Sequence, residues 1–204
     1  MGGHAQPVSC LCISGPWLFS ADFGGTIKVW SLAQGSLAQT LEKAHSDARV
    51  PAITHLLVCD SHLVSAALDG RLKVWTPVEG GAGAGAVVAE TPAFVWPELE
   101  AVQQGKRGGR GAPPPLAGIL AVQGVTDPEG KALLAVSFNG EKCVRLFEWP
   151  TFNDRGTFAE VVNARGMAAI GQFFVAGDER GKIKVWRYKA AAQSRAADAS
   201  VGAF

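Results

Sequence analysis

The chain has 204 residues, with 19 Lys and Arg against 18 Asp and Glu, a length that supports one or two domains and a sizeable core. The near balance of charge excludes a global field for nucleic acid or a membrane surface, and no apolar run approaches the roughly 20 residues of a spanning helix. Four scattered cysteines without C-x-x-C pairs (Cys10, Cys12, Cys59, Cys143) exclude a disulfide framework and a knuckle-type zinc site, and Met1 to Pro7 lacks the apolar core of a secretory signal. The expectation is a soluble protein of an intracellular compartment, nuclear or cytoplasmic.

Short apolar strands separated by turn residues fill most of the chain. Val8 to Ile13, Leu18 to Ala21, Thr26 to Trp30 and Leu37 to Leu41 make a first set, broken at Gly15-Pro16 and around Gly35. Ile53 to Val58, Leu63 to Ala67 and Leu72 to Trp75 repeat that order, with a fourth strand expected within Val87 to Trp96. Asp69-Gly70 divides the middle pair, and Asp-Gly between two alternating runs is a strong hairpin signal because the turn takes positive φ. Ile119 to Val122, Ala132 to Phe138, Cys143 to Phe147 and Gly156 to Ala159 form a third set. Met167 to Ile170, Phe173 to Ala176 and Ile183 to Tyr188 begin a fourth, which stops there. Such strands predict an all-β repeat fold.

The third strand of each set closes on an aromatic residue: Ile-Lys-Val-Trp30, Leu-Lys-Val-Trp75, Val-Arg-Leu-Phe147 and Ile-Lys-Val-Trp186. Trp30 and Trp75 lie 45 residues apart, and Phe147 and Trp186 lie 39 apart. The longer middle interval contains Gly/Ala and Gly/Arg/Pro runs, and removing about 30 such residues restores the roughly 40–45-residue period of a four-stranded propeller blade. Units at this period cover their apolar faces by stacking on neighbours. The division that follows is 3–44, 45–96, 116–160 and 161–188 for the repeats, 97–115 for a low-complexity insertion and 189–204 for an Ala-rich flexible tail.

These phrases resemble WD repeats. The second period carries the fullest set, with His45 opening it, Ser65 ten residues before Trp75, and Asp69 six before. The resemblance implies that His45, Ser65, Asp69 and Trp75 form a structural hydrogen-bonded chain locking the turn to its blade. His4, Ser20 and Trp30 make a partial set in the first period, where Gly24 occupies the Asp position. Glu141 and Arg180 occupy that position in the third and fourth, of which the fourth retains Trp186. The second half, with Asp127-Pro128-Glu129, Pro150-Thr151-Phe152 and Lys184-Val185-Trp186-Arg187-Tyr188, is similar to the C-terminal propeller half of plant and algal WD-repeat proteins carrying CCCH zinc fingers. The fingers themselves are absent from the 204 residues.

No other motif supplies chemistry. Ser65, His45 and Asp69 could be composed into a nucleophilic triad, but that Ser lies inside a strand and not on an exposed elbow. Lys28, Lys73, Arg145 and Lys184 sit two residues before each closing aromatic. They read either as a basic track for phosphate or, more simply, as long stems reaching water or a local acid. Lys106, Arg107 and Arg110 within Lys-Arg-Gly-Gly-Arg-Gly suggest an RNA contact, against the plainer reading of a solvated loop.

The chain is thus expected to be a partial WD-repeat propeller of about four blades, not closed into a ring because the fourth set is unfinished. Its expected function is non-catalytic: a scaffold binding other proteins or peptides through face loops, with an RNA-associated module as the alternative. It is expected to use no cofactor, metal or membrane. Missing blades or self-association would cover its open flanks.

Overall fold

The computed structural model describes residues 3–46, 50–78, 87–97 and 116–187. Residues 98–115, which hold Lys106, Arg107 and Arg110 of the insertion, and residues 188–204, which include the tail, lie outside the described residues. Every regular element among those described is a β-strand. The fold class expected from the sequence, all-β with successive antiparallel sheets of a partial propeller, is the one observed.

Sheet 1 comprises β1 (Val8–Ser14), β2 (Trp17–Asp22), β3 (Ile27–Ser31) and β4 (Ser36–Leu41). Sheet 2 comprises β5 (Ile53–Cys59), β6 (His62–Ala67), β7 (Leu72–Trp75) and β8 (Phe94–Trp96). In sheet 3 are β9 (Ile119–Thr126), β10 (Ala132–Phe138), β11 (Cys143–Glu148) and β12 (Asp154–Ala159). Sheet 4 holds β13 (Gly166–Ile170), β14 (Phe173–Gly177) and β15 (Ile183–Arg187). Each sheet is an antiparallel meander in chain order, as short strands joined by tight turns require. The chain divides into two compact units, Met1–Ile119 with sheets 1 and 2, and Leu120–Phe204 with sheets 3 and 4.

The period-2 alternation gives each sheet a front face, carrying the closing aromatic, and a back face. In the first unit the front of sheet 2 (Leu56, Val58, Leu63, Trp75) packs on the back of sheet 1 (Cys12, Phe19, Ile27, Val29) in one core. In the second, Phe174 and Trp186 on the front of sheet 4 join the back of sheet 3, where Leu133, Ala135, Val144 and Leu146 are buried. Phe174 and Trp186 also meet Phe158 of β12, whose ring stacks on Phe174 at 4.5 Å.

Polar contacts fasten the neighbouring sheets of the first unit. Ser9 at the bulge of β1 donates to Ala21 O of its own sheet (3.1 Å) or to Ile53 O of the next (2.5 Å). Thr54, at the matching bulge of β5, donates within its own sheet to Ala66 O at 3.2 Å. Gly25 (φ 83°) abuts the backbone of His45, and a Cβ there would run into the His45 carbonyl. Only glycine fits that positive-φ close approach.

The outer strand of sheet 2 lies within the stretch Val87 to Trp96 where it is expected, and takes only Phe94–Trp96 of it. The Val87 and Val88 amides donate to Gln39 Oε1 of β4, at 2.8 and 3.0 Å, and Gln39 Nε2 donates to Val88 O. That part of the chain is committed to sheet 1 and to a bridge with Pro77, which leaves only Phe94–Trp96 to pair with β7.

Candidate functional site

The segment entering sheet 2 carries His45 beneath the β6–β7 turn. Its Nδ1 is 2.8 Å from Asp69 Oδ2 and its Nε2 is 2.8 Å from Ser65 Oγ. Trp75 Nε1 donates to the same Ser65 oxygen at 2.9 Å. An ionised carboxylate only accepts, so the network assigns the proton of His45 to Nδ1 and the Ser65 hydroxyl proton to Nε2. Asp69 Oδ1 also accepts the Arg71 amide, holding the turn. The order Ser–His–Asp is that of a hydrolase triad, but Ser65 and His45 are fully buried and the Ser65 oxygen already accepts from the indole. A nucleophile must reach its substrate; this one is enclosed by its own blade.

Sheet 1 builds the same chain from a different residue. His4 Nδ1 is 2.8 Å from Asp22 Oδ2, His4 Nε2 is 2.7 Å from Ser20 Oγ, and Trp30 Nε1 donates to Ser20 Oγ at 2.8 Å. The carboxylate comes from Asp22, two residues ahead of the expected position at Gly24, and its Oδ1 accepts the Gly24 and Thr26 amides at 2.9 Å. Counting back from Trp30 misses Asp22; the signal that could have found it is an Asp heading a Gly-rich turn.

The second unit does not repeat the chain. In sheet 4, Asp178 caps its turn through the Arg180 and Lys182 amides, while Ala176 stands where Ser20 and Ser65 stand. Trp186 therefore packs with Phe158 and Phe174 without that serine. In sheet 3, Glu141 pairs with Arg145, with Nε to Oε2 at 2.9 Å.

The cations before the closing aromatics each have a local partner. Lys73 Nζ, buried, donates to Ala44 O at 2.8 Å, Lys28 Nζ to Thr40 Oγ1 at 3.4 Å, and Lys184 Nζ to Glu160 Oε2 at 2.6 Å. Long stems held by near neighbours, and not a track of free charge, describe these four positions. Burial pushes the thiols of Cys10 and Cys59 up to about 11, so both are protonated at neutral pH and unsuited to nucleophilic attack. Among the described residues no group of three His, Cys, Asp or Glu is placed to hold a metal ion.

The first unit also has a surface hollow of about 310 Å³. It is bounded by Pro16 and Trp17 at the β1–β2 turn, Ser61 at the β5–β6 turn, and Pro77, Val78 and Val87 beside the β7–β8 connection. Its wall is largely apolar with a few hydroxyls, the chemistry of a pocket that takes a hydrophobic side chain.

With this geometry in hand, comparison with known proteins finds the WD domain, G-beta repeat family over residues 1–31 and 35–76. The chain is 37% identical over 73 residues to zinc finger CCCH domain-containing protein 17 of Oryza sativa subsp. japonica, an overlap of 35% of this chain and 16% of that protein. It is 35% identical over 72 residues to zinc finger CCCH domain-containing protein 48 of Arabidopsis thaliana, again covering 16% of that protein. The matches thus span under a fifth of the length of these curated relatives. The crystal structure of the computationally designed Ika4 protein shares the fold, with a TM-score of 0.52 over 92% of this chain and 94% of that one, at 20% identity. The two matched segments span β1–β3 and β4–β7, where the His–Ser–Trp chains are complete, and over them the chain is similar to the WD domain, G-beta repeat family.

Proposed function

We propose that this protein is a non-catalytic scaffold that binds another protein through the sheet-end loops of its first unit, with the hollow at Trp17, Ser61 and Val78 seating an apolar side chain of the partner. One observation carries this reading: the groups that could have done chemistry, His45 with Ser65 and Asp69, are enclosed within sheet 2, whereas the hollow opens at the loops. Loops on a rigid sheet scaffold are where such folds bind their partners. A photo-crosslinking residue at Ser61 tests it. A partner protein should be captured at that position, and Val78→Asp, at an exposed site, should reduce capture at least fivefold. Undiminished capture in Val78→Asp removes the hollow from the binding surface.

A second reading, an RNA-associated module, draws its support from Lys106, Arg107 and Arg110 in the Gly-rich insertion, a composition suited to phosphate pairing and guanidinium stacking. Titration with single-stranded RNA before and after deletion of residues 103–115 separates the two. An RNA complex lost on deletion favours this reading, and no complex in either form removes it.

A further inference from the structure

The two sheets at the ends of the chain expose complementary halves of a junction already present inside the first unit. In that junction the front of sheet 2 meets the back of sheet 1. Strand register places Leu11, Ile13, Leu18 and Trp30 of sheet 1 at the positions of Leu56, Val58, Leu63 and Trp75 of sheet 2. Leu56 is 7% exposed because sheet 1 covers it, whereas Leu11 is 62% exposed. The front of sheet 1 is a junction face without its cover.

The missing cover has the form of the opposite face of sheet 4. By register, Phe173, Val175, Ile183 and Val185 of sheet 4 occupy the positions of Trp17, Phe19, Ile27 and Val29, the back of sheet 1 on which sheet 2 sits. Ile27 is fully buried by that contact, and its counterpart Ile183 is 69% exposed. Apolar groups at this density on two sheet faces are characteristic of association surfaces. The front face wants a back face, and one chain carries one of each.

We infer that the chain self-associates head to tail, the back of sheet 4 in one copy (Val175, Ile183, Val185) covering the front of sheet 1 (Leu11, Ile13, Trp30) in another. The contact is heterologous, since two different surfaces meet. It repeats the internal packing of sheet 2 on sheet 1, and it rests on those faces alone, independent of the hollow and its partner.

Light scattering on the purified 204-residue chain tests this. The mass should be at least twice that of the monomer. Leu11→Glu with Ile13→Glu should return it to monomer, as should Ile183→Glu with Val185→Glu, with circular dichroism unchanged because all four side chains are exposed. Mixing the two charged variants provides the decisive readout. Each retains the face the other lost, so one junction re-forms and the mass doubles. A monomeric wild-type chain overturns the inference and leaves the front of sheet 1 to further blades of a longer polypeptide. Assembly surviving either double substitution, or a mixture that stays monomeric, also overturns it.

Discussion

Ser65 of sheet 2 and Ser137 of sheet 3 each lie ten residues before the aromatic that closes the next strand, yet they end in opposite situations. Ser65 pairs across β6–β7 with Lys73, on the face that carries Trp75, and meets both His45 and the indole. Ser137 pairs with Val144, and the residue opposite Arg145 is Val136. The turn between β10 and β11 is one residue longer, and a one-residue change of register sends every side chain to the other face. Ser137 is consequently turned to the back of sheet 3, fully buried, with no hydrogen-bond partner among the described residues. The comparison teaches that the serine acquires its role from strand register and not from its distance to the aromatic.

The two sheets also lock their turns from opposite directions. In sheet 2 the lock comes from the preceding segment, through His45 and Asp69. In sheet 3 it comes from the following one: Asn163 Oδ1 accepts the Gly140 amide at 2.7 Å, and the Asn163 amide donates to Glu141 O. Asn163 sits at φ 49°, a left-handed conformation that Asn tolerates better than most residues. Its Nδ2 also donates to Glu179 Oε2, tying the sheet 3 turn to that of sheet 4.

The largest effect expected from this difference is at the carboxylates. Asp69→Ala leaves His45 and the Arg71 amide without their acceptor inside a closed core, and should cost about 3 kcal/mol in a urea titration. Glu141→Ala removes only a partly exposed ion pair and should stay within about 0.5 kcal/mol of the parent. Equal losses would show that the sheet 2 chain contributes no more than a surface pair.

Ser65→Ala and Ser137→Ala sharpen the contrast with identical chemistry. The first deletes the hub on which His45 and Trp75 converge and should cost about 2 kcal/mol, the scale of leaving buried donors unsatisfied. The second removes a buried hydroxyl that has no partner and should be neutral or stabilise by up to about 1 kcal/mol. A substantial loss in Ser137→Ala would mean that this hydroxyl is bound in solution, by a water for instance.

Much of this was legible in the sequence because it is written in local chemistry. Alternation fixed which residues share a face, Asp69-Gly70 marked its turn, and the spacing of His45, Ser65, Asp69 and Trp75 matched one blade completely. What was not legible depends on how a turn is built. Asp22 reaches His4 from two positions ahead of the counted one because the carboxylate folds over the Gly24 and Thr26 amides. The outer strand of sheet 2 is truncated by Gln39, about 50 residues away in the chain, and such a long-range side-chain contact leaves no trace in periodicity. The open faces at Leu11 and Ile183 look, residue by residue, like any core strand.

The smallest expected effect separates the two units by pH. All four histidines, His4, His45, His55 and His62, lie in the first unit. His55 on β5 is largely buried with its Nδ1 unpartnered, and burial holds its pKa below the ordinary 6.5. A base whose pKa is lower in the folded state binds fewer protons there than when unfolded, so stability is fully present above pH 6.5 and declines as pH falls toward the depressed folded value. The second unit has no histidine and no such term. Hydrogen exchange followed across that window should show the strands of sheet 2 opening more readily as pH falls, after correction for the intrinsic exchange rate, with those of sheet 3 unchanged. His55→Phe should flatten the response of sheet 2, with a change smaller than that of Ser65→Ala. A slope that persists in His55→Phe would overturn the assignment to His55.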